Sequence, residues 1–90
     1  MKKLNWCLLI SGFGRSAISI LNLQKENHLV QNEVNLVIYD REPCGANELA
    51  REMGIASAQV KKVNFQERKD FEDAILKECQ EHKVDFIFLL

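Results

Sequence analysis

The sequence predicts an α/β fold, in which about four parallel strands form a sheet and crossover helices connect them. Three observations support this fold class. Apolar runs typical of strands alternate with segments whose apolar residues recur at helical spacing. The runs are almost continuously apolar, as expected for parallel strands that are covered on both faces. A turn with two glycines, Gly12 and Gly14, follows the first run and precedes the first helix, as in Rossmann-like domains.

The alternation divides the chain into eight segments. Each strand is assigned to an apolar run, and each helix to a segment whose apolar residues recur every three to four positions. In order, we predict strand 1 (6–10), helix 1 (16–25), a polar loop (26–33), strand 2 (34–39), helix 2 (46–53), strand 3 (entered from Ile55 and strongest over 58–63), helix 3 (67–82) and strand 4 (84–90).

The first helix and the loop after it follow from their apolar residues. Ile18 and Leu21 lie three positions apart and belong to one apolar face of helix 1. The loop after the helix is otherwise polar, and we expect Leu29 and Val30 to tie it to the core.

Turn residues and charges place the later elements. Pro43 lies in the turn before helix 2, and Gly54 directly after that helix occupies the usual position of a left-handed cap. Lys61 and Lys62 indicate that strand 3 is partly exposed or lies near a sheet edge. Strands 1 and 4 are the most continuously apolar runs, so we expect them to be adjacent inner strands of the sheet.

Length and composition indicate a single small domain. The 90 residues are 47% apolar and 28% charged, with a net charge of −1, which gives no support to a nucleic-acid footprint. No apolar run has the length of a transmembrane helix, so no membrane partner is expected. The three widely spaced cysteines form neither a disulfide framework nor a metal motif, and we interpret them as small apolar residues in a reducing, cytoplasmic setting.

The glycine turn is the candidate binding site. Its backbone N–H groups, together with the N-terminus of helix 1, would attract an anion, most often a phosphate. The residues from Gly12 to Ala17 also fit the Gly-x-Gly-x-x-Ala pattern of dinucleotide binding. Asp40 ends strand 2, close to where an acidic residue would hold a ribose hydroxyl. One interpretation is therefore a Rossmann-type module that binds NAD(P) or FAD without catalysis of its own.

Three segments of the chain, taken in order, carry a further pattern. They are 9–16, 36–55 and 71–75 followed by 84–87. The first contains the run Leu-Ile-Ser-Gly-Phe-Gly-Arg-Ser, and the second has Ala50, Gly54 and Ile55 in register. Together they resemble phosphoribosylglycinamide formyltransferase, over essentially all 90 residues. That family transfers a formyl group from 10-formyltetrahydrofolate to glycinamide ribonucleotide in purine biosynthesis. The resemblance implies that residues 1–90 are the N-terminal part of a longer formyltransferase, which binds the substrate phosphate.

The resemblance also implies the site residues. The turn that would hold the substrate phosphate comprises Gly12, Phe13, Gly14, Arg15 and Ser16. Arg15 and Ser16 stand where the family usually has Ser-Asn, and Phe13 stands where it often has Asn or Arg. Backbone donors survive these changes, and the Arg15 guanidinium would add a charge-assisted contact.

The remaining expectations concern the folate pocket, the catalytic residues and the two histidines. Leu89 and Leu90 would lie at the edge of the folate pocket. The catalytic Asn, His and Asp of the family lie after strand 4, so no residue here is assigned a catalytic role, and the chain alone is expected to be inactive. We expect His28 and His82 on the surface. A formyltransferase part, a dinucleotide-binding module and a folded unit without a ligand remain the three hypotheses.

Overall fold

The computed structural model describes residues 4–26, 32–41 and 44–90. Four strands form one sheet in the order β3-β2-β1-β4, and all three strand pairs are parallel. The elements are β1 (Leu4–Ile10), α1 (Arg15–Lys25), β2 (Asn32–Tyr39), α2 (Gly45–Glu52), β3 (Ala56–Gln59), a single 3₁₀ turn (Lys62–Asn64), α3 (Arg68–Glu81) and β4 (Phe86–Leu89). The predicted α/β fold is confirmed. Some of the predictions concern residues outside the described part of the chain, namely His28, Leu29, Val30 and Pro43.

The helices cover the two faces of the sheet with separate apolar clusters. Because side chains alternate along a strand, Leu8 of β1 packs with α1 and α2, whereas Cys7 packs with α3. Burial raises the pKa of the Cys7 and Cys79 thiols, which keeps both groups protonated in this second cluster. All three cysteines are buried and free, in agreement with their interpretation as small apolar residues.

β3 is an edge strand, as Lys61 and Lys62 predicted, but it ends at Gln59, before both lysines. It pairs with β2 only as far as Tyr39↔Gln59, where β2 itself ends. The predicted strand residues Lys62 and Val63 therefore fall in the 3₁₀ turn, where 88% of Val63 is exposed. Apolar character alone could not show that the neighbouring strand had already ended.

β4 lies beside β1 and parallel to it, as predicted, yet it is not an inner strand. It is the other edge of the sheet, and each of its residues is exposed, with 77% exposure at Leu89. The prediction of an inner position was wrong because an apolar run shows that both faces of a strand favour burial. It does not show how many strands lie alongside.

Two helices end in the same hydrogen-bonded motif. After α2, the N–H groups of Gly54 and Ile55 donate to carbonyls of the last helical turn, and Gly54 has the predicted left-handed φ of +76°. After α3, Lys83 takes the equivalent position with φ 55°. His82 just before it is a half-buried residue at the surface, and its Nδ1 lies 2.9 Å from the carbonyl oxygen of Glu78.

Among the described residues, no helix is long and apolar enough to cross a membrane. In the same part of the chain, no three His, Cys, Asp or Glu side chains are grouped so that they could hold a metal ion.

Candidate functional site

The glycine turn connects β1 to α1 at the carboxyl edge of the sheet. Gly14 is the N-cap of α1, in the left-handed conformation with φ 82° and ψ 40°, and its carbonyl accepts the N–H of Ile18 at 2.9 Å. Within the described residues, the N–H groups of Gly14, Arg15 and Ser16 have no acceptor. Three successive donors at the positive end of a helix are the elements of an anion site.

Gly14 is required by packing as well as by its backbone conformation. A Cβ at this position would lie 2.7 Å from Cβ of Ala46 and 2.8 Å from Cγ2 of Ile10. Real Cβ atoms essentially never approach other atoms so closely. The turn therefore packs directly against the start of α2, and Gly14 is needed whether or not a ligand binds.

Gly12 differs from Gly14 in its surroundings. It has a similar φ of +71°, but a Cβ there would meet no heavy atom within 4 Å. The turn is open on this side, where a ligand can approach the backbone. The absence of a side chain at Gly12 thus leaves its backbone accessible from solvent, and it is not needed for packing inside the protein.

Asp40 helps to shape the turn. Its Oδ1 accepts the N–H of Gly12 at 3.3 Å, and its Oδ2 lies 3.8 Å from Nε of Arg41. Both carboxylate oxygens thus have partners within the protein. The Gly12 contact fixes the Asp40 carboxylate against the turn, where each oxygen can still accept a further hydrogen bond.

Phe13 anchors the turn to α2. Its carbonyl accepts the N–H of Ala46 at 3.3 Å and the Sγ donor of Cys44 at 3.6 Å. A Cβ on Gly45 would lie 2.5 Å from the Phe13 ring, so Gly45 allows the ring to pack there. Sequence reasoning missed this partnership. No local pattern in the sequence indicates that the turn before α2 meets the turn before α1.

Arg15 and Ser16 present exposed side chains at the start of α1. The Arg15 guanidinium forms no ion pair within the described ranges. It remains available for a charge-assisted contact with an anion held by the backbone.

The end of β4 lies beside the glycine turn. The N–H of Leu90 donates to the carbonyl of Leu9 at 3.0 Å, and the Ser11 hydroxyl donates to the carbonyl of Leu90 at 3.4 Å. A pocket of about 290 Å³ opens here, with Asp40 on one side and Leu89 and Leu90 on the other. The structure thus brings both predicted groups of site residues to one edge of the sheet, where ligands of open α/β sheets bind.

Comparisons with known proteins agree with this architecture. A family model described as formyl transferase matches residues 4–90. Glycinamide ribonucleotide transformylase 1 from Symbiobacterium toebii is 28% identical with a TM-score of 0.85, over 97% of this chain and 41% of that chain. Phosphoribosylglycinamide formyltransferase from Brucella melitensis is 30% identical with a TM-score of 0.82, over 98% of this chain and 45% of that chain.

A more distant solved structure has the same fold. A formyltetrahydrofolate deformylase from Pseudomonas putida is 15% identical with a TM-score of 0.81, over 97% of this chain and 30% of that chain. A search of curated proteins found no match. This chain spans less than half the length of each of the three solved structures.

Proposed function

We propose that this chain, which belongs to the formyl transferase family, binds the phosphate group of a formyl-accepting substrate at its glycine turn. One observation carries the proposal: the N–H groups of Gly14, Arg15 and Ser16 have no acceptor among the described residues and lie together at the start of α1. Gly12 leaves the approach open, and Arg15 adds a positive charge. Similar structures are named as transformylases of glycinamide ribonucleotide, which supports that phosphorylated amine as the substrate.

The other substrate in this proposal is 10-formyltetrahydrofolate. Leu89 and Leu90 form the edge of its pocket, beside the glycine turn. Transfer of the formyl group to an amine requires a donor for the developing oxyanion and a group that accepts the amine proton. We assign neither role to a residue of this chain, and we expect no formyl transfer by the chain alone. Its part is to hold the phosphate so that the amine is positioned.

The proposal places the remaining part of a longer formyl transferase against β4. Among the described residues, β1 alone pairs with this strand. The side chains of β4 expose apolar surface on both faces of the sheet, including 52% of Phe86 and 77% of Leu89. An apolar edge of this kind normally pairs with further polypeptide or is covered by it. The solved relatives contain more than half of their length beyond what this chain matches, which supports this arrangement.

The test is a titration with inorganic phosphate followed by amide NMR shifts. We expect the largest shifts at residues 12–17. Gly12→Ala places a methyl group on the open side of the turn, and Gly54→Ala is its matched control. Both glycines have positive φ and no heavy atom within 4 Å of the added carbon, so both variants carry similar backbone strain. We expect only Gly12→Ala to weaken phosphate binding.

Arg15→Ala should have a smaller effect than Gly12→Ala, because it removes a charge and leaves the backbone donors in place. Equal losses for Gly12→Ala and Gly54→Ala would contradict a site at the turn. If Arg15→Ala lost more phosphate affinity than Gly12→Ala, the Arg15 side chain rather than the backbone N–H groups would be the main source of binding. Gly14→Val would not test phosphate binding, because its side chain would collide with Ile10 and Ala46 inside the protein whether or not a ligand binds.

A further inference from the structure

A second group of cations lies at the carboxyl ends of β2 and β3. Arg41 follows β2, while Lys61 and Lys62 follow β3. The two strand exits are bonded to each other, since the N–H of Val60 donates to the carbonyl of Tyr39 at 2.9 Å. As a result, cations that are 20 positions apart in sequence line one cleft of about 340 Å³, together with Asp40 and Val63.

The charge of this cleft is not balanced by its own carboxylate. Asp40 contacts Gly12 and Arg41, as described above. Across the described ranges, neither Lys61 nor Lys62 has a carboxylate within ion-pair distance. The lining residues that the structure describes therefore carry three positive charges against one negative charge. The whole chain has a net charge of −1, so its overall composition does not predict this local concentration of cations.

We propose that this cleft binds a diphosphate group, at a second site that adjoins the glycine turn through Asp40. The cleft is larger than a single phosphate requires, and its excess charge suits a polyanion. A guanidinium can contact two oxygens of one phosphate, and flexible lysine ammonium groups can follow the second phosphate. Val63 has 88% of its side chain exposed in the same cleft and offers an apolar contact to whatever carries the diphosphate.

The test uses inorganic pyrophosphate as the probe, with amide NMR shifts as the readout. We expect shifts at Arg41 and at residues 60–64. The double variant Lys61→Gln/Lys62→Gln should weaken this binding roughly fivefold or more, since it removes two charged donors. The matched control is Lys69→Gln/Lys77→Gln, which removes two exposed lysines of α3 and should leave affinity almost unchanged.

Gly12→Ala separates this proposal from the proposed function. It should leave the pyrophosphate shifts at 60–64 in place, even if the glycine turn binds no phosphate at all. Equal weakening by the control pair would show diffuse attraction and overturn the proposal. Shifts confined to residues 12–17, or no shifts, would overturn it as well.

Discussion

The α1–α2 side of the molecule is closed, whereas the strip formed by β4 and the neighbouring surface of α3 is open. On the closed side, Leu8 and Leu21 have no exposed surface. On the open strip, Leu76 of α3 is 49% exposed and Leu89 of β4 is 77% exposed. The difference shows that the helix-covered face buries its apolar residues fully, whereas β4 and part of α3 leave theirs in contact with water. The proposed phosphate turn stands on the closed side, where packing holds Gly14 in place, as a pre-organised site requires.

The two edges of the sheet show the same contrast. β3 is short, with the sequence Ala-Ser-Ala-Gln, and Lys61 and Lys62 follow it. β4 has the sequence Phe-Ile-Phe-Leu and carries no charged residue. Charged and polar residues at an edge discourage pairing with other strands. The composition of β3 thus disfavours pairing with a further strand, whereas the apolar composition of β4 favours it.

The largest effect is expected for Gly14→Val on the closed side. Its side chain would collide with Ile10 and Ala46, and valine is strained at positive φ, so we expect a loss of about 4 kcal/mol or more in the free energy of unfolding. Urea denaturation measures this loss. Gly12→Ala, with open space around it, should cost about 1 kcal/mol. Similar losses for both variants would mean that the turn does not pack tightly against α2.

A smaller difference in the free energy of unfolding is expected when a leucine on the closed side and a leucine on the open strip are each replaced by alanine. Leu21→Ala on the closed side should lower the free energy of unfolding by roughly 2–4 kcal/mol, because it leaves a cavity in the core. Leu76→Ala on the open strip should cost less than about 1 kcal/mol, since half of that side chain is already in water. Chemical denaturation of both variants makes the comparison. Equal costs would show that Leu76 is covered in solution and that the strip is not open.

The smallest effects come from the two helix ends, and they have opposite signs. Lys83→Gly on the α3 side should raise the free energy of unfolding by about 0.5–1 kcal/mol, because glycine adopts φ 55° without strain. Gly54→Ala after α2 should lower it by about 1 kcal/mol. Thermal unfolding of the two variants side by side tests this. A loss of stability in Lys83→Gly would indicate that the lysine side chain makes a contact worth more than its backbone strain.

Local patterns determined most of the elements and part of the candidate site. Apolar periodicity predicted the order of strands and helices and placed the helices and β1, β2 and β4 closely, whereas it extended β3 too far. The sequence also identified Gly54 as the left-handed residue after α2. The two glycines after β1 identified the turn. These features depend on a few neighbouring residues, whose backbone preferences and spacing are visible in the chain. The same patterns could not separate an inner strand from an edge strand, because β4 is equally apolar in either position.

By itself, then, the sequence determined the order of elements, the glycine turn and the resemblance to a formyltransferase. Only the tertiary structure decided which glycine faces the core and which faces open space, since Gly12 and Gly14 have nearly the same φ. It also brought Asp40 to the Gly12 amide, and it placed Arg41 and Lys61 in the lining of one cleft. These pairs are about 20 to 30 positions apart in sequence, and they come together because the carboxyl ends of neighbouring parallel strands meet at one edge of the sheet.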